Sequence, residues 1–212
     1  VHTCARQSTG VIACWGDNAS GQLGDGTFDP HNTPVDAGAT STWSSAAGAL
    51  TAGGQHTCAV RTDGTAWCWG GNDYGQIGDG SIVTRSAPTP TLGLTDAVSV
   101  TAGLTHTCAL STSGAVTCWG ANDSAQSSGG VPSPPVSPTT VANVVGASEL
   151  AAGDLFTCAR VGGEVVCWGS RDAMGLGDAT VGTCRMGATT CGPTTLPRPL
   201  GVTAWIALAP RP

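Results

Sequence analysis

Ten cysteines, four histidines and seven tryptophans are the residues with most chemistry to offer in this 212-residue chain. Cysteine pairs form disulfides, hold zinc or do redox work, and their spacing separates these uses. Cys4 and Cys14, Cys58 and Cys68, and Cys108 and Cys118 each stand ten residues apart; Cys158 and Cys167 stand nine apart. Zinc sites usually show short Cys-x-x-Cys spacing with four convergent ligands, and these spacings do not resemble that. Midway between Cys58 and Cys68 lies Thr62-Asp63-Gly64, which suits a three-residue hairpin loop with Gly in the left-handed position. Ser8-Thr9-Gly10 and Thr112-Ser113-Gly114 occupy the same place in their copies. Folding about this turn sets Cys58 opposite Cys68. A non-hydrogen-bonded antiparallel pair brings Cα atoms to about 4.5 Å, compatible with a disulfide. In the fourth copy the turn is Gly162-Gly163, a two-residue loop of the primed type. Dropping one loop residue keeps Cys158 opposite Cys167. The spacing thus predicts four hairpin disulfides and leaves Cys184 and Cys191, flanking residues 185–190, as a fifth, less constrained pair. Such bonds imply an oxidising compartment, so the chain is expected to be secreted or at the cell surface.

His2, His56 and His106 recur at one position, and Phe156 replaces the fourth. A metal or catalytic site would need the three imidazoles to converge; packing or hydrogen bonding within each repeat is the plainer expectation. Asp25-Gly26 and Asp79-Gly80, with Asp17 and Asp73 nearby, raise the question of calcium. The alternating ligands and closing Glu of a calcium loop are missing, and turn formation accounts for Asp, Asn and Gly here. Asn18-Ala19-Ser20 and Asn122-Asp123-Ser124 match a glycosylation acceptor, but both coincide with a repeated loop Asn. No Gly-x-Ser-x-Gly, phosphate loop or His-Glu-x-x-His is present, so the chain is read as non-enzymatic, with no catalytic residue, metal or cofactor.

The elements that carry these residues follow from the repeat. The first cysteines, at 4, 58, 108 and 158, give periods of 54, 50 and 50 residues. A period near 50 suits one four-stranded propeller blade. In the third copy residues 98–101 alternate apolar and polar, as a half-buried strand does. Residues 106–110 and 116–119 form the next two strands, and the Pro-led segment 137–141 supplies an edge strand. With 32 Gly, 13 Pro and 10% charged residues, long helices are disfavoured. The formal net charge is −6 and there is no lysine. That leaves no basic patch for nucleic acid. No apolar run approaches a membrane span of about 18 residues. No signal peptide is recognised, so Val1 is expected to begin a mature or trimmed chain.

The strands His-x-Cys-Ala and Cys-Trp-Gly, with the loop Asn72-Asp73-Tyr74-Gly75-Gln76-Ile77-Gly78-Asp79-Gly80, resemble the regulator of chromosome condensation repeat family. Copy one repeats the loop as Asn18-Ala19-Ser20-Gly21-Gln22-Leu23-Gly24-Asp25-Gly26. Copy three departs at Ala125-Gln126-Ser127-Ser128, and copy four at Arg171 and Met174; these loops are expected to be less regular or adapted to a partner. The resemblance implies an all-β propeller, typically of seven blades. The expectation for this chain is a single repeat domain over 1–212, with units 1–47, 48–97, 98–147 and 148–202. Residues 203–212 are then a closing strand for the first blade, which would join the termini into a four-bladed ring. A larger ring, or an array completed by neighbouring chains, is the alternative. Within the family signature Trp15, Trp69, Trp119 and Trp168 are expected to pack between blades. Trp43, Trp67 and Trp205 lie outside it and are candidates for partner contact, as are Arg185 and Met186 in the loop between Cys184 and Cys191. An acidic, lysine-free, cysteine-rich chain looks most like the secreted bacterial members, which bind another protein on one propeller face. The expected function is therefore an extracellular binding module for a protein or glycan. The alternative is a self-associating structural subunit of an extracellular filament, sheath or envelope.

Overall fold

A computed structural model describes residues 1–38, 42–127 and 136–170, together with the backbone of 198–199. The described residues contain strands and turns and no helix, and the strands form four antiparallel sheets. Blade one is β1 (His2–Arg6), β2 (Ile12–Gly16) and β3 (His31–Asp36). Blade two is β4 (Leu50–Ala52), β5 (His56–Val60), β6 (Ala66–Gly70) and β7 (Arg85–Pro90). Blade three is β8 (Ala97–Ala102), β9 (His106–Ser111), β10 (Val116–Gly120) and β11 (Thr139–Thr140). Blade four is β12 (Ala147–Ala152), β13 (Phe156–Val161), β14 (Glu164–Gly169) and β15 (Arg198–Pro199). Each blade is a meander in chain order. Blade one has no counterpart of β4, β8 or β12 among the described residues. The segment 203–209, expected to fill that place, lies outside them.

The hairpins hold the register set by their turns. Cys58 faces Cys68, and Arg61 N donates to Thr65 O at 2.9 Å across the Gly64 turn. In blade four Val161 pairs with Glu164, and Gly162 and Gly163 both take positive φ, 57° and 91°, as the shorter turn demands. All four cysteine pairs form disulfides with Cα atoms 4.0–4.1 Å apart. They are compatible with an oxidising compartment. Cys184 and Cys191 lie outside the described residues. The outer strands carry the prolines, Pro34 in β3 and Pro88 and Pro90 in β7, where a missing N–H costs least.

The core lies between the sheets. Ile12, Cys14 and Leu23 of blade one meet Trp43, Ala59 and Trp69 of blade two. Val60, Cys68 and Ile77 meet Val100, Ala109 and Trp119. Leu110, Val116 and Val144 meet Ala159 and Trp168. The inner strands β4, β8 and β12 lie side by side. Thr51 Oγ1 accepts from Ala102 N at 3.1 Å and Thr101 Oγ1 from Ala152 N at 3.0 Å. Gly78 makes room for the next blade's indole: a Cβ there would stand 2.8 Å from Trp119 Nε1.

Copy three was expected to have a less regular loop; as far as Ser127 it keeps the shared path. Ala125 takes φ 60° where Gly21 and Gly75 take 73° and 76°, and Ser127 N reaches Asn122 Oδ1 at 3.1 Å as Ile77 N reaches Asn72 Oδ1 at 2.9 Å. A left-handed alanine is strained by about 1–2 kcal/mol, partly offset by the lower chain entropy it brings to the unfolded state. Ala125→Gly should therefore raise unfolding free energy by about 0.5–1 kcal/mol in urea titrations. Replacing both Cys58 and Cys68 with Ala should lower it by about 2–3 kcal/mol, the loop-entropy value for a ring of this size.

Candidate functional site: the blade interfaces and the loop-bearing end

The three repeat histidines bridge blades instead of bonding within them. His2 Nε2 meets Thr57 Oγ1, His56 Nε2 meets Thr107 Oγ1, and His106 Nε2 meets Thr157 Oγ1, each at 2.8 Å. Each threonine hydroxyl also donates to a loop carbonyl of the preceding blade: Gln22 O at 2.8 Å, Gln76 O at 2.9 Å and Gln126 O at 3.1 Å. A hydroxyl has one proton. Because it goes to the carbonyl, the imidazole must donate through Nε2–H. This polarity is the reverse of nucleophile activation, in which the imidazole would accept the hydroxyl proton. The same carbonyls accept Trp69 Nε1 at 3.0 Å and Trp119 Nε1 at 2.8 Å.

His56 and His106 are fully buried, and their Nδ1 atoms have no partner. Burial, with smaller contributions from His106 and His2, lowers the pKa of His56 to about 3. Burial lowers that of His106 to about 4. His2 falls to about 4, through burial first and the N-terminal ammonium second. The three imidazoles are therefore neutral at pH 7, each committed to a different interface.

Trp69, Trp119 and Trp168 are buried between blades, whereas Trp15 is partly exposed. Trp43, a surface candidate by sequence, is only 1% exposed. Its ring lies 5.9 Å from that of Trp69, because the Trp43–Arg61 bridge draws it under blade two. Trp67 is partly exposed, with the Arg61 guanidinium 3.6 Å from its ring centroid. Arg185, Met186 and Trp205 lie outside the described residues.

The loop asparagines are fasteners. Asn72 Nδ2 donates to Ser81 O at 3.1 Å and Val83 O at 3.0 Å. Asn18 Nδ2 donates to Thr27 O at 3.2 Å and Asp29 O at 2.9 Å. A glycan would attach to that same buried atom, so the folded loop shields it. Asp79 is bound by Arg85 at 2.7 Å. Burial pushes its carboxyl up, but hydrogen bonds from Ser81 and Arg85 outweigh burial and hold it below the usual carboxylate range.

These loops all emerge at one end of the sheets, the end of the turns between the first and second strands. Phe28, Tyr74, Ile82, Val83 and Leu104 lie at that end and are 45–62% exposed. Among the described residues Asp17, Asp25, Asp29, Asp73, Asp79, Asp123 and Asp154 share it with one arginine, Arg85. Sequence reasoning missed this surface. Its members are scattered over four repeats, and although Asp25, Asp73, Tyr74 and Asp79 belong to the repeated loop, the exposed Phe28, Ile82, Val83 and Leu104 lie outside every motif.

The described residues thus define an array of four-stranded propeller blades, the first lacking its inner strand, locked by buried side-chain relays. Two family models described as regulator of chromosome condensation (RCC1) repeat match it. One covers residues 49–76 and 97–126, the other residues 10–60 and 63–110. The chain belongs to this repeat family. It is 32% identical to the ultraviolet-B receptor UVR8 of Arabidopsis thaliana over 87 residues, 41% of this chain and 19% of the receptor. Human WBSCR16 superposes with a TM-score of 0.75 at 17% identity, over 93% of this chain and 49% of that one. Yeast RCC1 (Prp20), solved bound to Kap60, gives 0.74 at 21%, over 94% and 46%. The chain spans about half or less of the length of each of these proteins.

The relay predicts acid sensitivity. The unfolded chain, with ordinary histidines near 6.5, binds protons that the native state refuses. Stability is therefore fully present above pH 6.5 and falls as pH drops towards 3–4. The slope per histidine is at most about 1.4 kcal/mol per pH unit. Melting temperature should decline from pH 6.5 to 4, and His106→Gln should flatten that decline while lowering stability at pH 7. An unchanged slope would remove the imidazoles as its cause.

Proposed function

We propose that this protein is a non-enzymatic extracellular binding module that holds a protein partner on its loop-bearing end. The observation that carries this reading is the grouping of exposed Phe28, Tyr74, Ile82, Val83 and Leu104 among aspartates on one end of the blades. Apolar side chains give a contact its energy, and a field of one sign selects the complementary partner and speeds encounter. The partner surface is accordingly basic at its rim and apolar at its centre. Glycan recognition would draw on fewer features here, since Tyr74 and Phe28 are the exposed aromatics of that end. The solved yeast RCC1 that this fold resembles was crystallised with a protein, Kap60, and protein recognition is the use extended to this chain. The disulfides support secretion or display at the cell surface.

A structural role in an extracellular assembly is favoured by one separate observation. The edge of β1 that corresponds to the β4-facing edge of β5 is unpaired among the described residues, and such an edge can be completed by another strand.

Capture from the protein's own extracellular medium distinguishes these ideas. Tyr74→Ser with Ile82→Ser should weaken partner capture at least tenfold, roughly 1.4 kcal/mol or more. Thr112→Ala with Val145→Ser, in exposed turns at the opposite end, should leave capture unchanged. Higher salt should slow association. Equal capture by both double variants would refute the loop-end reading.

A further inference from the structure

The loops of blades one and two are closed by one fastener made from different side chains. In blade two, Arg85 opens β7 opposite Gly70 and clasps Asp79, with Nε at 2.8 Å and Nη2 at 2.7 Å from Oδ2. In blade one, His31 opens β3 opposite Gly16 and meets Asp25, with Nε2 at 3.1 Å from Oδ2. Each basic residue follows its aspartate by the same interval along the chain. The second carboxylate oxygen is also used alike. Asp79 Oδ1 accepts from Ser81 N at 3.0 Å and Ser81 Oγ at 2.7 Å. Asp25 Oδ1 accepts from Thr27 N at 2.9 Å and Thr27 Oγ1 at 2.8 Å. The difference lies in the base. Arginine keeps its charge at every working pH, whereas histidine ordinarily gains and loses its own between about pH 5 and 8.

His31 is the histidine that stands outside the relay. Its side chain is 34% exposed, so solvent protons reach it, and that of Asp25 is 12% exposed. Burial pushes the Asp25 carboxyl up, but hydrogen bonds from Thr27 and Asn18, with the charge of His31 last, outweigh burial and hold it below the usual carboxylate range. The aspartate stays ionised, and the proton that alters the pair belongs to the imidazole. The surrounding elements bring several further titratable or charged groups. Asp29 lies on the same loop, and Asp36 at the far end of β3. Asp17 follows β2, and the Val1 ammonium approaches it to 3.9 Å. His2, across Gly16, is taken up by the relay. Arg85 of blade two is next to Ser86, whose carbonyl accepts from Gly26 N at 2.9 Å. Arg85 is committed to Asp79 and does not supply the charge that His31 loses.

We propose that His31 is a proton-operated latch on the blade-one loop: protonated, it fastens residues 25–31, and Phe28 with them, in the arrangement that Arg85 imposes permanently on residues 79–85. Uncharged, the imidazole gives the carboxylate at most a neutral hydrogen bond, roughly half as strong as a charge-assisted one, and the loop opens more often. Phe28 is 53% exposed and belongs to the loop-bearing end. Blade one's share of that surface therefore firms in mild acid, while Ile82 and Val83 of blade two stay held. This consequence for binding rests on the loop-end reading above; the latch does not. Its sign is opposite to that of the relay, since mild acid lowers global stability through His2, His56 and His106 yet tightens this loop.

Amide hydrogen exchange on the full chain at about pH 5.5 and about pH 7.5, corrected for the intrinsic effect of pH, decides the latch. Gly26, Thr27 and Asp29 each donate to an acceptor of the closed loop, as Gly80, Ser81 and Val83 do in blade two. Protection of the first set should rise about threefold on acidification, the scale of a partly exposed ion pair, and protection of the second set should not. His31→Arg should hold the first set at its acid level at both pH values, and His31→Gln at its neutral level. Unchanged protection in the full chain, an equal rise in both sets, or a rise retained in His31→Gln would overturn the latch. For the binding consequence, the proteins that the full chain captures from its extracellular medium are applied to it and to Phe28→Ser at both pH values. The loss caused by Phe28→Ser should be about threefold larger in acid, and equal at both pH values when His31→Arg is also present. Equal losses in the His31 background would overturn the link between latch and binding. No capture at either pH would sink the loop-end reading, and the exchange result would still decide the latch.

Discussion

The fold depends on a buried bond between a neutral imidazole and a threonine hydroxyl, repeated at every described blade interface. A single blade is a small twisted sheet with little apolar surface of its own. Its stability comes from what it buries against the next. The His–Thr–carbonyl relay fixes the angle at which the next blade sits, since a hydroxyl with one proton and two fixed neighbours has little latitude. The glycine loop serves the same end. It delivers the carbonyl of Gln22, Gln76 or Gln126 to the interface and leaves room for the indole beside it.

Within each blade the disulfides act on a different term. They tie the second and third strands across a hairpin, limiting the unfolded chain, while the relay and the tryptophans stabilise the assembled state. A glycine-rich chain with few large apolar residues benefits from both, because its loops are entropically costly to order. The loop asparagines and aspartates, which at first suggest calcium, spend their oxygens and amides on the loop backbone. The result is a rigid platform whose loop tips are free to vary in sequence.

That division gives the platform a plausible way to acquire function without altering its frame. Tyr74, Ile82 and Val83 lie on the solvent side of a loop whose inner side is fixed by Asn72. Their replacement would alter the proposed contact surface and leave the relay untouched. Solved structures share this fold at 17–21% identity, which is what a frame defined by a few buried contacts permits.

The four hairpins, their register and their disulfides were legible in the sequence because they are local. A cysteine spacing of ten with Gly at the turn, or nine with Gly162-Gly163, leaves one sensible pairing. The period near 50 likewise revealed the blades. The sequence also placed the Trp15 class of tryptophans between blades, although Trp15 itself remains partly open. What only the tertiary structure decided is how one sheet sits on another. The partners of His2, His56 and His106 lie 51 or 55 residues away on the next blade. Trp43 goes inside although it belongs to no motif, Ala125 accepts a glycine's conformation, and scattered side chains gather at one end. The physical reason is that hairpin pairing is set by turn length and the two-residue side-chain period. The stagger and angle between sheets arise from side chains far apart in the chain that meet only when the blades are stacked.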